Sequence, residues 1–318
     1  MRNPAIDFLK FCAVLFIFNA HSTMLYPVCP WLATGGYIGD ALFFFCSGYT
    51  LFMDNGARIG RFDVWYKRRL ARIWPSCLAW GLLAGLITVK RIYTIEAFAG
   101  IGWFVKYILV CYLVLWFLGR FCIRRIRFIF IISSICSLLI CFWVLWSRDG
   151  NPEHWKWPFF FPVILLGALI GKDDVMKVNK PWANLIMSLF MFIMFTGVIA
   201  LGTRHDGVVR YVRLLGLPFI LSFVYYAYRF ASCPLLADAS HKAMWKVVVC
   251  IGGLCLDFYL IKWTFISGTL SCVFPLNLPI VFLYLLVVAY LNRSIGRIIQ
   301  QTLSIERKGY DWKSVFAL

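Results

Sequence analysis

Residues 6–21 read IDFLKFCAVLFIFNAH, an apolar run that approaches the ~20 residues needed to cross the hydrocarbon core and yet carries Asp7, Lys10 and His21. At about 100° per residue, the spacing from Lys10 to His21 puts both on one helix face, roughly 16 Å apart along the axis, and Asp7 joins the same stripe. Ionisable side chains are costly inside a bilayer and normally face a bundle interior or a wet cavity, which makes the stripe a candidate functional site. The plainer alternative is an interfacial histidine with one hydrogen bond, beside a lysine that snorkels towards the headgroups.

The rest of the chain repeats this apolar character. Of 318 residues, 62% are hydrophobic and only 14% charged, and the mean hydropathy is +0.80, which excludes a soluble globular domain. The apolar runs are too long and continuous for the alternating strands of a barrel. An all-α polytopic bundle follows, because each span must satisfy its own backbone. About ten transmembrane helices are expected, at 5–25, 36–53, 73–89, 103–118, 128–146, 157–171, 182–202, 213–230, 245–266 and 275–291. They form one transmembrane domain over 1–291, followed by a short cytoplasmic tail over 292–318. The first run lacks a small-residue cleavage site and is expected to remain as helix one.

Lysine and arginine collect in alternate connections, most densely at Arg58, Arg61, Lys67, Arg68, Arg69 and Arg72, so both termini are expected on the cytoplasmic side. The net charge of +18 is read as this topology signal together with attraction to the lipid bilayer; no nucleic-acid motif accompanies it. Internal repeats and broken helices, common in transporters, are not evident. The twelve cysteines read as packing residues, although Cys29 and Cys272 both fall in outer connections, where a disulfide is open to them.

Several side chains could carry chemistry. His21 can act as a general base towards a hydroxyl or accept a covalent group. In FDVWYKRRLARIWP, Arg69 and Arg72 lie one turn apart with guanidinium forks suited to phosphate, and Pro75 is expected to open the third helix. Charge alone is better met by an ordinary basic connection with an amphipathic approach helix. GDALFFFCSGYTLF brings Asp40, Ser47 and Gly48, the glycine allowing close helix packing and the serine lining a cavity. Asp257 is a buried carboxylate expected to neutralise Lys10 or Lys106. Lys106 and Lys262 are expected to snorkel at the outer interface, with Trp103 heading the same segment as Lys106. His154, His205 and His241 lack metal-ligand spacing and no metal is expected.

Taken in order, these segments resemble the acyltransferase-3 family of integral membrane acyltransferases, of the polysaccharide O-acetyltransferase type. The family's basic residue, ten others and then histidine falls on Lys10 and His21. Its Phe-Phe-x-x-Ser-Gly falls on Phe43 or Phe44 through Gly48, and its Arg-x-x-Arg with Ile-x-Pro on Arg69, Arg72, Ile73 and Pro75. GWFVKYILVCYL, FPVILLGALIG and IGGLCLDFYLIKW are similar to family segments in the same order.

The resemblance implies a bacterial inner-membrane enzyme that passes an acyl group from cytoplasmic acetyl-CoA, or another acyl-CoA, to a hydroxyl of a glycan or oligosaccharide, with no tightly bound cofactor. It implies His21 as the catalytic histidine, Lys10 as its basic partner and Arg69 with Arg72 as contacts to the CoA phosphates. Asp7, Asp40, Ser47, Trp103 and Asp257 are expected around the substrate cavity. Many relatives have a second histidine where this chain has Lys262. A glycan or lipid-linked sugar transporter without acyl transfer is the alternative reading.

Overall fold

The computed structural model describes residues 3–53, 59–88, 99, 101–147, 152–173, 180–204, 207–304 and 309–317, and every regular element among them is helical. The α-helices are α1 Pro4–His21, α2 Gly36–Phe52, α3 Phe62–Thr88, α4 Trp103–Phe121, α5 Ile126–Trp146, α6 Pro152–Lys172 and α7 Pro181–Arg204. They continue with α8 Gly216–Ala231, α9 Pro234–Ala239, α10 Trp245–Gly253, α11 Cys255–Phe265, α12 Asn277–Thr302 and α13 Trp312–Phe316. Eight helical segments among the described residues are long and apolar enough to cross a membrane, so the chain is a multi-pass membrane protein.

The expected second and ninth spans differ from this pattern. Helix α2 has 17 residues, about 26 Å, slightly under the ~30 Å hydrocarbon core. The ninth is broken at Leu254 into α10 of 9 residues and α11 of 11 residues. Gly252 and Gly253 precede the break, and two adjacent glycines offer no side-chain packing and the lowest helix propensity short of proline. The expectation of unbroken helices fails here.

The third helix is corrected as well. Pro75 does not open it: α3 starts at Phe62 and passes through Pro75 at mid-length. Proline removes one intrahelical hydrogen bond, which a long helix survives when the turns on either side are supported. Residue 291, the expected end of the transmembrane domain, lies within α12, which continues to Thr302.

The chain forms two compact units. The first comprises Met1–Lys10, Tyr37–Phe62 and Cys111–Trp245, and the second comprises Phe11–Gly36, Asp63–Val110 and Lys246–Leu318. In the first unit, α2 and α6 approach at backbone distance. A Cβ on Gly48 would strike the Ile164 carbonyl, one on Gly167 the Phe45 carbonyl, and one on Gly171 the Tyr49 carbonyl. The Tyr49 hydroxyl, buried beside this seam, accepts hydrogen bonds from Asn3 Nδ2 (2.7 Å) and the Tyr228 hydroxyl (3.2 Å).

Helix α6 contains Pro158 and Pro162. Because Pro162 has no N–H, the Pro158 carbonyl one turn earlier loses its helical partner, and Ser137 of α5 donates to it instead at 2.8 Å. Ser137 is buried, so Ser137→Ala leaves a carbonyl unsatisfied in an apolar setting. A loss of about 1–3 kcal/mol is expected, read as a lower midpoint in thermal unfolding in detergent, whereas Ser134→Ala, whose hydroxyl bonds only within its own helix, changes little.

Candidate active site

The second unit holds the candidate residues at two ends of the same helices. At one end α1 stops at His21, and the chain beyond is tightly tied. The Ser22 hydroxyl donates back to the Phe18 carbonyl (2.8 Å), and buried Asn277, at the start of α12, donates to the Leu25 carbonyl (2.8 Å). Asn19 Nδ2 donates to the carbonyls of Leu32 (2.8 Å) and Thr34 (3.0 Å), while the Tyr26 hydroxyl donates to Asn19 Oδ1 at 2.6 Å. Burial pushes the Tyr26 phenol above its ordinary pKa and keeps it a donor there. These bonds fix the exit of α1 and hold the half-buried His21 at a defined position.

Ring contacts set the register around it. Phe18 meets Phe282 at 5.1 Å and Phe258 at 6.3 Å between centroids. Moving forward along α1 corresponds to moving back along α12, from Phe282 to Asn277, and α11 likewise runs against α12, from Gly253 beside Arg293 to Phe258 beside Phe282. Helices α1 and α11 are therefore parallel. Phe18 with Phe258 on one side, and Met24 with Gly268 on the other, bracket His21 and Lys262 at a common level.

Lys262 is not the snorkelling interfacial residue expected. It is 1% exposed, with Nζ 3.1 Å from the centroid of the Tyr259 ring, whose own neighbour is Phe104 at 4.8 Å. An ammonium over an aromatic face recovers part of the cost of losing water. Phe104 packs beside Trp103, so the first turn of α4, with half-buried Trp103 and Lys106, reaches the same end as His21.

The other end is built where α3, α11 and α12 meet. Buried Asn292 donates from Nδ2 to Asp257 Oδ1 (2.8 Å) and to the Ser76 carbonyl (3.2 Å), and the Ser76 hydroxyl also bonds to Asp257. A Cβ on Gly296 would lie 3.1 Å from Ser76, so the helices touch there as well. Arg72 and Arg69 lie one and two turns before Ser76 on the same α3 stripe, which directs that stripe along α12 beyond Gly296. The Arg69 guanidinium lies 5.2 Å from the centroid of the Trp65 ring.

Arg293 and Arg297 add two further guanidiniums to this end. Arg293, on α12, acts on the Asp257 carboxylate, a charge partner beyond the Lys10 or Lys106 expected. Arg297 Nη1 donates to the carbonyls of Val315 and Ala317, so that the short helix α13 clasps the end of α12. Gln301 with Asp311 and Ser314 completes the clasp. The sequence reading missed Asn292, Arg293 and Arg297 because the apolar run thins at Leu291. The continuing helical spacing of Asn292, Gly296 and Ile299 was the available signal.

Helix α12 measures the separation of the two ends. From Asn277, beside the loop after His21, to Gly296, beside Ser76, is about 28 Å along the axis, close to one hydrocarbon thickness.

The remaining candidates belong to the first unit. Asp7, in the first turn of α1, and Asp40, in α2, are both buried, and Lys10 is half-buried on the same unbroken α1 as His21. Ser47 is half-buried in α2, which passes through Ser47–Gly48 without interruption, and Gly48 makes the close approach expected of it. Cys29 and Cys272 are free thiols, so the disulfide open to them is not formed. His154 and His241 are exposed, and His205 lies outside the described residues.

Comparison with known families decides what this arrangement belongs to. A family model described as an acyltransferase domain, that of acyltransferase-3, matches residues 3–291. The chain belongs to the acyltransferase-3 family. It is a membrane acyltransferase, and the match runs through both compact units and ends inside α12. Neither the comparison with curated proteins nor that with solved structures gave a match.

Proposed function

We propose that this acyltransferase moves an acyl group, acetyl first among the choices, from acyl-CoA at the cytoplasmic face to a hydroxyl of a cell-envelope glycan at the opposite face of a bacterial inner membrane. One observation carries the reading: within one unit, phosphate-suited arginines and the imidazole stand about a membrane thickness apart along α12. With both termini cytoplasmic, the arginine end faces the compartment that holds CoA.

Arg69 and Arg72 bind the CoA phosphates, and the thioester reaches towards His21. The imidazole removes the proton of the acceptor hydroxyl as its oxygen attacks the thioester carbonyl; the C–S bond then breaks, and the CoA thiolate leaves and is protonated. In the covalent variant, the His21 nitrogen attacks first, CoA leaves as the thiol, and the acceptor hydroxyl takes the acyl group from the imidazole. Lys10 is the basic partner on the same helix, and Trp103 and Asp257, in the unit that holds His21 and the arginines, line the path of the substrates.

The break between α10 and α11 is a feature that a sugar transporter would also use. Purified protein in vesicles, given acyl-labelled acetyl-CoA and an oligosaccharide, separates the readings. Label on the sugar with stoichiometric release of CoA thiol is expected, and sugar movement without acylation would overturn the proposal. The Arg69→Ala/Arg72→Ala double variant is expected to raise KM for acetyl-CoA about 10–100-fold, the range for losing charge-assisted hydrogen bonds. It should leave S-acetyl-pantetheine, which lacks the nucleotide phosphates, unaffected.

A further inference from the structure

We propose that Asn292 and Arg293 grip an amide of the donor's pantetheine arm at the break between α10 and α11. This rests on acyl-CoA being the donor and adds a second recognition point to it.

The orientation of Asn292 is dictated by its partners. The Asp257 carboxylate and the Ser76 carbonyl are both acceptors, so the nitrogen must face them and Oδ1 must face away. That oxygen is buried without a hydrogen-bond partner among the described residues, on a side chain that is 0% exposed. Arg293 Nη1 is in the same condition, a buried donor without a partner, 3.2 Å from where a Cβ on Gly253 would stand. Asn292 reaches Asp257 and Arg293 reaches Gly253, one turn apart across the break, so the two orphaned atoms belong to neighbouring residues packed against the same short stretch of chain.

One acceptor beside one donor is the complement of a secondary amide, which offers an N–H and a carbonyl. A phosphate offers acceptors alone and would leave Oδ1 unmet. Leaving such groups unmet in an apolar interior costs about as much as the hydrogen bonds themselves, so an occupant with both functions is favoured. Position agrees with chemistry. Asn292 lies one turn from Gly296 towards the His21 end, between the phosphate stripe and the imidazole, where the arm joining nucleotide to thioester must run. Glycine at 253 lets the Arg293 guanidinium pack against the chain at the break, where a side chain would crowd it.

Binding of two probes to the purified full-length protein tests this: free coenzyme A, and adenosine 3′,5′-bisphosphate, which has phosphates but no arm. Wild type should bind coenzyme A more tightly than the fragment. Asn292→Leu and Arg293→Met should each weaken coenzyme A about tenfold and leave the fragment unchanged, whereas Arg69→Ala/Arg72→Ala should weaken both. If Asn292→Leu does not accumulate, Arg293→Lys decides, with the same selective loss of coenzyme A expected, since it keeps the positive charge beside Asp257 and removes the Nη1 donor.

Equal loss of both probes, no loss of either, or a wild type that gains nothing from the arm would overturn the proposal and assign the orphaned atoms to a structural water. Failure of wild type to bind either probe would instead refute the acyl-CoA reading.

Discussion

His21→Ala is expected to reduce acyl transfer to the glycan about 10²–10⁴-fold, the usual contribution of a positioned general base, with the affinity for acyl-CoA unchanged. The split follows from the geometry, since His21 stands about 28 Å along α12 from the end that holds the arginines. His21→Gln separates the two readings of this residue. Glutamine keeps a hydrogen-bonding side chain but takes no proton, so it should be as inactive as alanine. Normal glycan acylation in the glutamine variant would reduce His21 to an interfacial hydrogen-bonding residue. The measurement is the acyl content of the surface glycan by mass spectrometry, normalised to membrane levels of the protein.

The second large effect is structural. Gly167→Val is expected to abolish accumulation of folded protein, because its Cβ would strike the Phe45 backbone on α2. Overpacking a flexible side chain costs about 1–3 kcal/mol. A collision with main chain has no such relief, and three glycines on this seam share the same approach, so a cost above ~4 kcal/mol is expected, a large part of a typical total stability of ~5–15 kcal/mol. Membrane levels should fall more than tenfold, with loss of the monodisperse peak in detergent size-exclusion chromatography. Gly197→Val, in α7, meets nothing within 4 Å and should leave both unchanged. A wild-type profile for Gly167→Val would show that α2 and α6 are not in contact as described.

Fold class was legible because the bilayer leaves a long apolar run few options, and the charged connections marked the ends of most spans. That Lys10 and His21 lie on one continuous helix was legible for the same reason. What escaped were features decided by neighbours. Pro75 signals a helix start in isolation, but α3 carries it internally. The Gly252–Gly253 pair was visible as letters, yet a glycine pair alone does not say whether a helix ends there, and the partners of this stretch, Arg293 among them, come from another helix. Lys262 looked like a residue that would reach for the headgroups, and the Tyr259 ring under it, backed by Phe104, could not be foreseen from its own stretch of sequence. Asn292 lay beyond the apolar stretch, and side-chain partners supplied by two other helices cannot be seen along one line of sequence.

The clasp of α13 on Arg297 bears on how sidedness is assigned. Reporter enzymes spliced behind the last residues are the common way to determine which compartment a terminus occupies, and here such a graft would load the segment whose carbonyls hold that guanidinium. A signal lost from a carboxy-terminal reporter could therefore record a sprung latch and not a compartment, and cysteine labelling of the native ends is the safer ruler.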